Sequence, residues 1–330
     1  MNRNFFTASL LIVVGFGCAP ASDLGTSISL SDSDLTLQDV EELTTVYENI
    51  DIDDSFELST HHTYFATSDD GIDWTMQPDP IAESASVPDL IELQHDLGPF
   101  ETGTLLTYFV DGTQGHGDQD LSLGMIYSQD GGESWSDRLF TNMIGADHIS
   151  VVADPSLVQL EDGTFRLYFY DFPATFIDPR SDDAGPFTVH SATSRDGINF
   201  TYEAQVFESG SMITDPDVVY WQGKWWMYLM GQEFMSIQVA SSTDPLSFGE
   251  MESVNDNGIP GMLAMGDEMW LYTCGNRSIT RQTSTDGISF TYQNNALYET
   301  VGGIICDPSV IELTDGTFAM VLKQQAQSFK

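Results

Sequence analysis

Basic residues are scarce in this sequence: Lys and Arg number 10 against 51 Asp and Glu, which leaves 330 residues with a formal net charge of -41. The acids are spread along the chain rather than held in one tail. A surface so charged repels phosphate backbones and anionic lipid alike, so no nucleic-acid partner is expected and no electrostatic docking to a membrane. Dispersed acidity of this kind reads as a solvated face suited to a saline habitat, or as sites for bound cations. Cysteine is nearly absent, with Cys18, Cys274 and Cys306 the only three. None has the spacing of a zinc site, and Cys274 and Cys306 fit a disulfide in an oxidising compartment as well as they fit two buried thiols. No apolar run beyond the first 17 residues approaches membrane-spanning length. Ser-His-Asp and phosphate-loop patterns are absent too.

What is present begins with a leader. Arg3, the apolar run Leu10 to Phe16 and then Gly17-Cys18 give residues 1–18 the pattern of a secretory signal. The "GFGC" resembles a bacterial lipoprotein box, which implies lipidation of Cys18 and a cell-envelope, outer-membrane or extracellular location. Lipid is then the only membrane anchor. An ordinary signal peptide with an incidental cysteine is the alternative. Residues 19–54, rich in Ser, Thr and Asp without a sustained period, read as a flexible acidic linker. Residues 55–330 read as one repeat-built domain.

The repeat has two marks. Turns of the form Ser-x-Asp-Gly, with an aromatic residue three places after the Gly, start at Ser68, Ser194, Ser242 and Ser284, with Pro245 in place of Gly in the third of these, and a form one residue longer, Ser-x-Asp-x-Gly, starts at Ser128. These are Asp boxes, in which Ser and Asp side chains bind turn amides and Gly supplies a positive φ. They lie 60, 66, 48 and 42 residues apart. The second mark is an apolar strand in "SVPDLIEL", "VADPSLVQL", "ITDPDVVYW", "GIPGMLAM" and "ICDPSVIEL", starting at residues 86, 152, 213, 258 and 305. Alternating runs such as Phe165-Leu167-Phe169, reached through a Gly-containing turn, supply further strands. Five units of about four short strands predict an all-β, five-bladed β-propeller. The chain's end supplies two inner strands without a box and its beginning a box without inner strands. The N- and C-terminal strands are therefore expected to share one blade and close the ring without a free edge.

Over about residues 56–325 these inner strands, the "DGTFRLYFY" strand and the "ATSRDGINF" turn resemble the five-bladed propellers of glycoside hydrolase families 43 and 32, the arabinanase, xylosidase and invertase group. The resemblance implies a central funnel with an Asp general base and a second Asp at inner-strand starts, and a Glu general acid on a third blade. Asp89, Asp154, Asp215 and Asp307 match the inner-strand Asp positions. The Glu expected beside Gly-Pro is missing, since that unit reads "GIPG".

Strand order puts the Asp set on one face with loops carrying His116, Asp118, Asp120, Asp178, Arg180, Glu233, Asn276 and Arg277. Glu83, Glu208, Glu252 and Glu299 recur with a following Ser or Thr and read as architecture, whereas Glu233, His148 and Arg277 do not recur. The catalytic set expected is Asp154 as base, Glu233 as acid and Asp215 raising the acid's pKa, with Asp89, Asp307, His148 and Arg277 binding substrate. Against this stands the plain reading that Asp-Pro caps each inner strand. No cofactor is required, and Ca²⁺ held by converging carboxylates is the one metal the pattern admits. Sialidase chemistry is set aside, because it calls for three arginines on a carboxylate and few of the seven here can face the funnel. Two functions follow: a hydrolase of neutral poly- or oligosaccharide working by carboxylate acid/base catalysis, or a noncatalytic propeller binding glycan or protein. A closed ring of this type is expected to be monomeric, with carbohydrate as its partner.

Overall fold

The computed structural model describes residues 57–113, 121–171, 186–231, 235–275, 278–298 and 303–326. They form five sheets around one axis, a five-bladed propeller, antiparallel except where the short strand Asn142–Ile144 joins Asn199–Ser209 in parallel. Blade one runs through Ala85–Glu92, Leu105–Asp111, Gly124–Ser128 and Leu139–Phe140. Blade two follows with Val152–Gln159, Phe165–Asp171, Phe187–Ser194 and Asn199–Ser209, then blade three with Ile213–Trp221, Lys224–Gly231, Ser236–Ser242 and Glu252–Asn257. Pro260–Met265, Glu268–Gly275, Ser278–Ser284 and Thr291–Tyr298 make blade four. Blade five joins both ends of the chain: Gly303–Glu312 and Phe318–Ala326 pair with His61–Ser68, in register from His61 opposite Gln325 to Ser68 opposite Phe318. Short strands Thr75–Met76 and Ala82–Glu83 complete it. The closure expected from the incomplete end repeats is thus observed.

Two sets of polar contacts hold neighbouring blades, and both begin in the repeat. In the Asp boxes Ser68, Ser128, Ser194 and Ser284 accept a glycine N–H, while Asp70, Asp130, Asp196 and Asp286 accept the amides that follow. A tyrosine on the second strand of another blade then reaches the box: Tyr108 Oη donates to Gly197 O at 2.7 Å, Tyr168 to Pro245 O at 3.1 Å, Tyr228 to Gly287 O at 2.8 Å and Tyr272 to Gly71 O at 2.7 Å. All four tyrosines are fully buried. Blade five has Val321 at this place, and the box at 128–135 instead packs its Gly132 against the Phe65 ring.

The second set circles the axis. Each inner strand carries a proline, Pro88, Pro155, Pro216, Pro260 or Pro308, and the residue after it faces the next blade. Ser309 Oγ accepts Leu90 N–H at 3.0 Å, Asp89 Oδ2 accepts Leu157 N–H at 2.7 Å, Ser156 Oγ accepts Val218 N–H at 2.9 Å and Asp217 Oδ2 accepts Met262 N–H at 2.6 Å. Each clasp satisfies a buried amide that would otherwise cost about 1–3 kcal/mol. At the fifth junction, between blades four and five, the residue is Gly261. It has no side chain to offer, and a Cβ there would stand 2.0 Å from Pro308 O. The disulfide Cys274–Cys306 spans this same junction, with Cα atoms 4.9 Å apart. The pairing that spacing left open is therefore a bond.

The clasps and the boxes respond to pH in opposite directions. Burial pushes Asp89 up to about 6, against its bonds from Ser309, Leu157 and Leu90, and burial with the charge of Asp89 pushes Asp217 up to about 8. Carboxyls raised in the folded state stabilise it below the unfolded value near 4, and that stability is lost as pH rises through 6 and 8. Box carboxylates are lowered, Asp130 and Asp286 to about 2, by hydrogen bonds from the serines and amides of their turns. Their contribution is lost only as pH falls from about 4 toward 2. The melting temperature is expected to peak near pH 4 and to be lower by roughly 10 °C or more at pH 8.5, as read by calorimetry across that range.

Candidate active site

The inner strands bring three of the anticipated acids together. Asp154, Asp215 and Asp307 each stand immediately before the inner-strand proline, on blades two, three and five. Each has a left-handed backbone, with φ of 51, 51 and 53°. The ladder slips at this point in blades two, three and five, and in blade one as well. In blade one the corresponding residue is Val87, whose φ is 47°. The bulge therefore forms without a carboxylate, although Asp154 does accept a backbone amide, as the capping reading expects.

Asp89 occupies a different place. The proline fixes the register, so Asp89 aligns with Ser156, Asp217, Gly261 and Ser309, and Val87 is the match to Asp154. Its carboxylate is taken up by Leu157 N–H and by Ser309 Oγ–H at 2.6 Å. The inner acids thus separate into a lower tier of clasps, Asp89 and Asp217, and an upper tier at the axis.

In the upper tier, Asp154 Oδ2 accepts Asp215 N–H at 3.2 Å, and Asp215 Oδ2 accepts Thr214 Oγ–H at 2.5 Å. Asp307 pairs with Lys323, Oδ2 to Nζ 2.6 Å. Burial raises Asp154 to about 6, with the charge of Asp307 adding to it. Burial raises Asp215 well beyond the ordinary carboxylate range, reinforced by Asp154 and then Asp307. Asp215 is thus pushed further toward its protonated form than Asp154, so of the two Asp154 gives up its proton more readily. Tyr170 stands beside them, its phenol held protonated by burial and by the charges of Asp154, Asp171 and Asp215. The cavity below, walled by the five prolines with Asp215 and Asp307, holds about 30 Å³, the space of about one water. Among the described residues no group of three His, Cys, Asp or Glu is disposed to hold a metal ion.

His148 lies away from the axis, on the rim of blade two. Its ring meets Tyr202 edge-on at 4.6 Å and His190 at 6.2 Å. Asp171 in the same corner accepts Ser150 and Val151 N–H at 2.9 and 3.1 Å. Glu233, Arg277 and Cys18 lie outside the described residues, as do His116, Asp118, Asp120, Asp178, Arg180 and Asn276. Sequence reasoning missed Tyr170 and Lys323. Both occupy one register position of the second strands, shared with Val110, Met230 and Cys274, and a lysine there breaks an otherwise uncharged pattern. Trp221 and Trp226 are tied down by hydrogen bonds to Gly266 O and Trp221 O. They flank a hairpin at the far end of the strands from Asp215.

No protein-family model matches the sequence, and no curated protein does. Solved structures do match. A protein of unknown function from Dyadobacter fermentans DSM 18053 is 16% identical with a TM-score of 0.53, over 80% of this chain and 84% of that one. A family 43 β-1,3-galactosidase, solved with galactodeoxynojirimycin, gives 11% identity and 0.53 over 74% and 90%. A family 43 glycoside hydrolase from Xanthomonas citri, complexed with xylotriose, gives 13% and 0.51 over 76% and 91%. Identities this low establish a shared fold, the propeller of these glycoside hydrolases, and nothing finer.

Proposed function

We propose that this protein is a glycoside hydrolase-like propeller that cleaves a neutral poly- or oligosaccharide by carboxylate acid/base chemistry at the axial site. The observation that carries the reading is the upper tier. Asp154 and Asp215, on neighbouring blades, are raised by burial, with the charge of Asp307 adding to Asp154 and that of Asp154 to Asp215, at a backbone position that Val87 adopts with no carboxylate. In this reading the ionised Asp154 activates the attacking water as general base. Asp215 keeps a proton on the site, and Glu233 is the proton donor to the leaving oxygen. Neutral sugar follows from the charge of the chain. Incubation with neutral arabinan, xylan and galactan fragments, read by release of reducing ends, tests it. Failure of every fragment to be cleaved, with binding retained, moves the assignment to the second reading, a noncatalytic glycan- or protein-binding propeller. The axial cavity of about 30 Å³ favours that second reading, since no sugar ring fits inside it. For the location we propose export, with a lipid on Cys18 as the anchor. The Cys274–Cys306 bond is in keeping with an oxidising compartment.

A further inference from the structure

The three axial acids gather where water barely enters, and a positive charge built into the chain faces them. Lys323 comes from the second strand of blade five, opposite Cys306 on one side and Thr63 on the other, so strands from both ends of the sequence fix its backbone. Its side chain is 14% exposed and that of its partner Asp307 is 2% exposed. The four other blades place Val110, Tyr170, Met230 and Cys274 at this position, so the fold does not call for a charge there. Taking an ammonium out of water costs several kcal/mol, which an apolar residue would avoid.

We propose that Lys323 is a positioning residue of the axial site: its ammonium, fixed by Asp307, supplies the positive charge that lets the Asp154 carboxylate stand beside Asp215 without a bound cation. This rests on the acid/base reading of Asp154. The groups facing Lys323 are Asp307, Asp154 and Asp215 from three inner strands and His61 from the closing strand, with Tyr170 beside the acids. His61 adds no second positive charge, since burial and then Lys323 lower it to about 3. Burial alone would lower Lys323, yet Asp307, Asp215 and Asp154 together keep it charged. Of the described groups acting on Asp154 and Asp215, Lys323 is the one cation.

The test is the carboxyl titration of Asp154, followed by carbon NMR in the full chain without substrate, for wild type, Lys323→Met, Asp307→Asn and the double variant. Removing the ammonium is expected to raise the Asp154 midpoint by about one pH unit, and removing Asp307 to lower it by about as much. The double variant is expected to return close to wild type, and Lys323→Arg to titrate as wild type. Lys323→Met leaves Asp307 buried and unpaired, so it is the variant most exposed to misfolding. The difference between Asp307→Asn and the double variant then gives the same answer. Midpoints that coincide across the series overturn the proposal and leave Lys323 a structural ion pair. Because no substrate is present, the outcome is independent of turnover. A wild type that shows the charge series but cleaves no saccharide would retire the acid/base reading alone, whereas in an active enzyme the acid limb of the pH–rate profile moves in step with the midpoint.

Discussion

Asp154→Asn is expected to lower saccharide turnover by about 10²- to 10⁴-fold, the range of a lost general base, while moving the melting temperature by no more than a few degrees. The two halves of this expectation have different physical sources. Turnover falls because an amide cannot take a proton from water. Stability holds because Asn Oδ1 can still accept the Asp215 N–H that Asp154 Oδ2 accepts at 3.2 Å, and because Asn tolerates a φ of 51° about as well as Asp. The substitution also removes a carboxylate that burial disfavours. Unchanged reducing-end release by Asp154→Asn would take the residue out of the mechanism.

Removing the disulfide is expected to give a large loss of stability. Cys274→Ala with Cys306→Ala reopens a loop of 32 residues, for which loop closure gives about 3–4 kcal/mol. In a domain of this size that is roughly 10 °C in melting temperature. The effect is expected to be local. Blades four and five meet at Gly261, where the side-chain clasp present at the four other junctions is missing, so amide exchange should accelerate first along Pro260–Met265 and Gly303–Glu312. A second consequence reaches the axis, because Cys306 precedes Asp307 and lies opposite Lys323. A loss below about 1 kcal/mol, measured by denaturant unfolding of the double variant, would mean that another contact closes the ring.

Much of this fold could be read from the chain. Five Asp boxes fix five third-to-fourth strand turns by their own side-chain bonds, and the incomplete repeats at the two ends specify the shared blade. The four tyrosines that reach those turns stand in equivalent strand positions and were equally legible. The register of the inner strand of blade one was read two residues out: aligning acids put Asp89 with Asp154, whereas aligning prolines puts it with Asp217. Proline is the better ruler, since its fixed φ and missing N–H define the bulge in four of the five blades. Chemistry was less legible because an Asp in the lower tier and one in the upper tier differ only in what they face. Asp217 faces Met262 N–H, and Asp215 faces two other acids. Pairing across a ring is set by tertiary closure, which is also why Lys323, distant in sequence, was overlooked.

The division into two tiers is tested most directly by comparing melting temperatures of upper- and lower-tier variants at pH 7. Asp154→Asn and Asp215→Asn should unfold within a few degrees of wild type or above it, since the first removes a buried charge beside Asp307 and the second exchanges a carboxyl that burial drives toward its neutral form for a neutral amide. Asp89→Ala and Asp217→Ala should each lose about 1–3 kcal/mol, from a buried amide left without an acceptor. Equal losses from both tiers would show that the axial acids are only another ring of clasps.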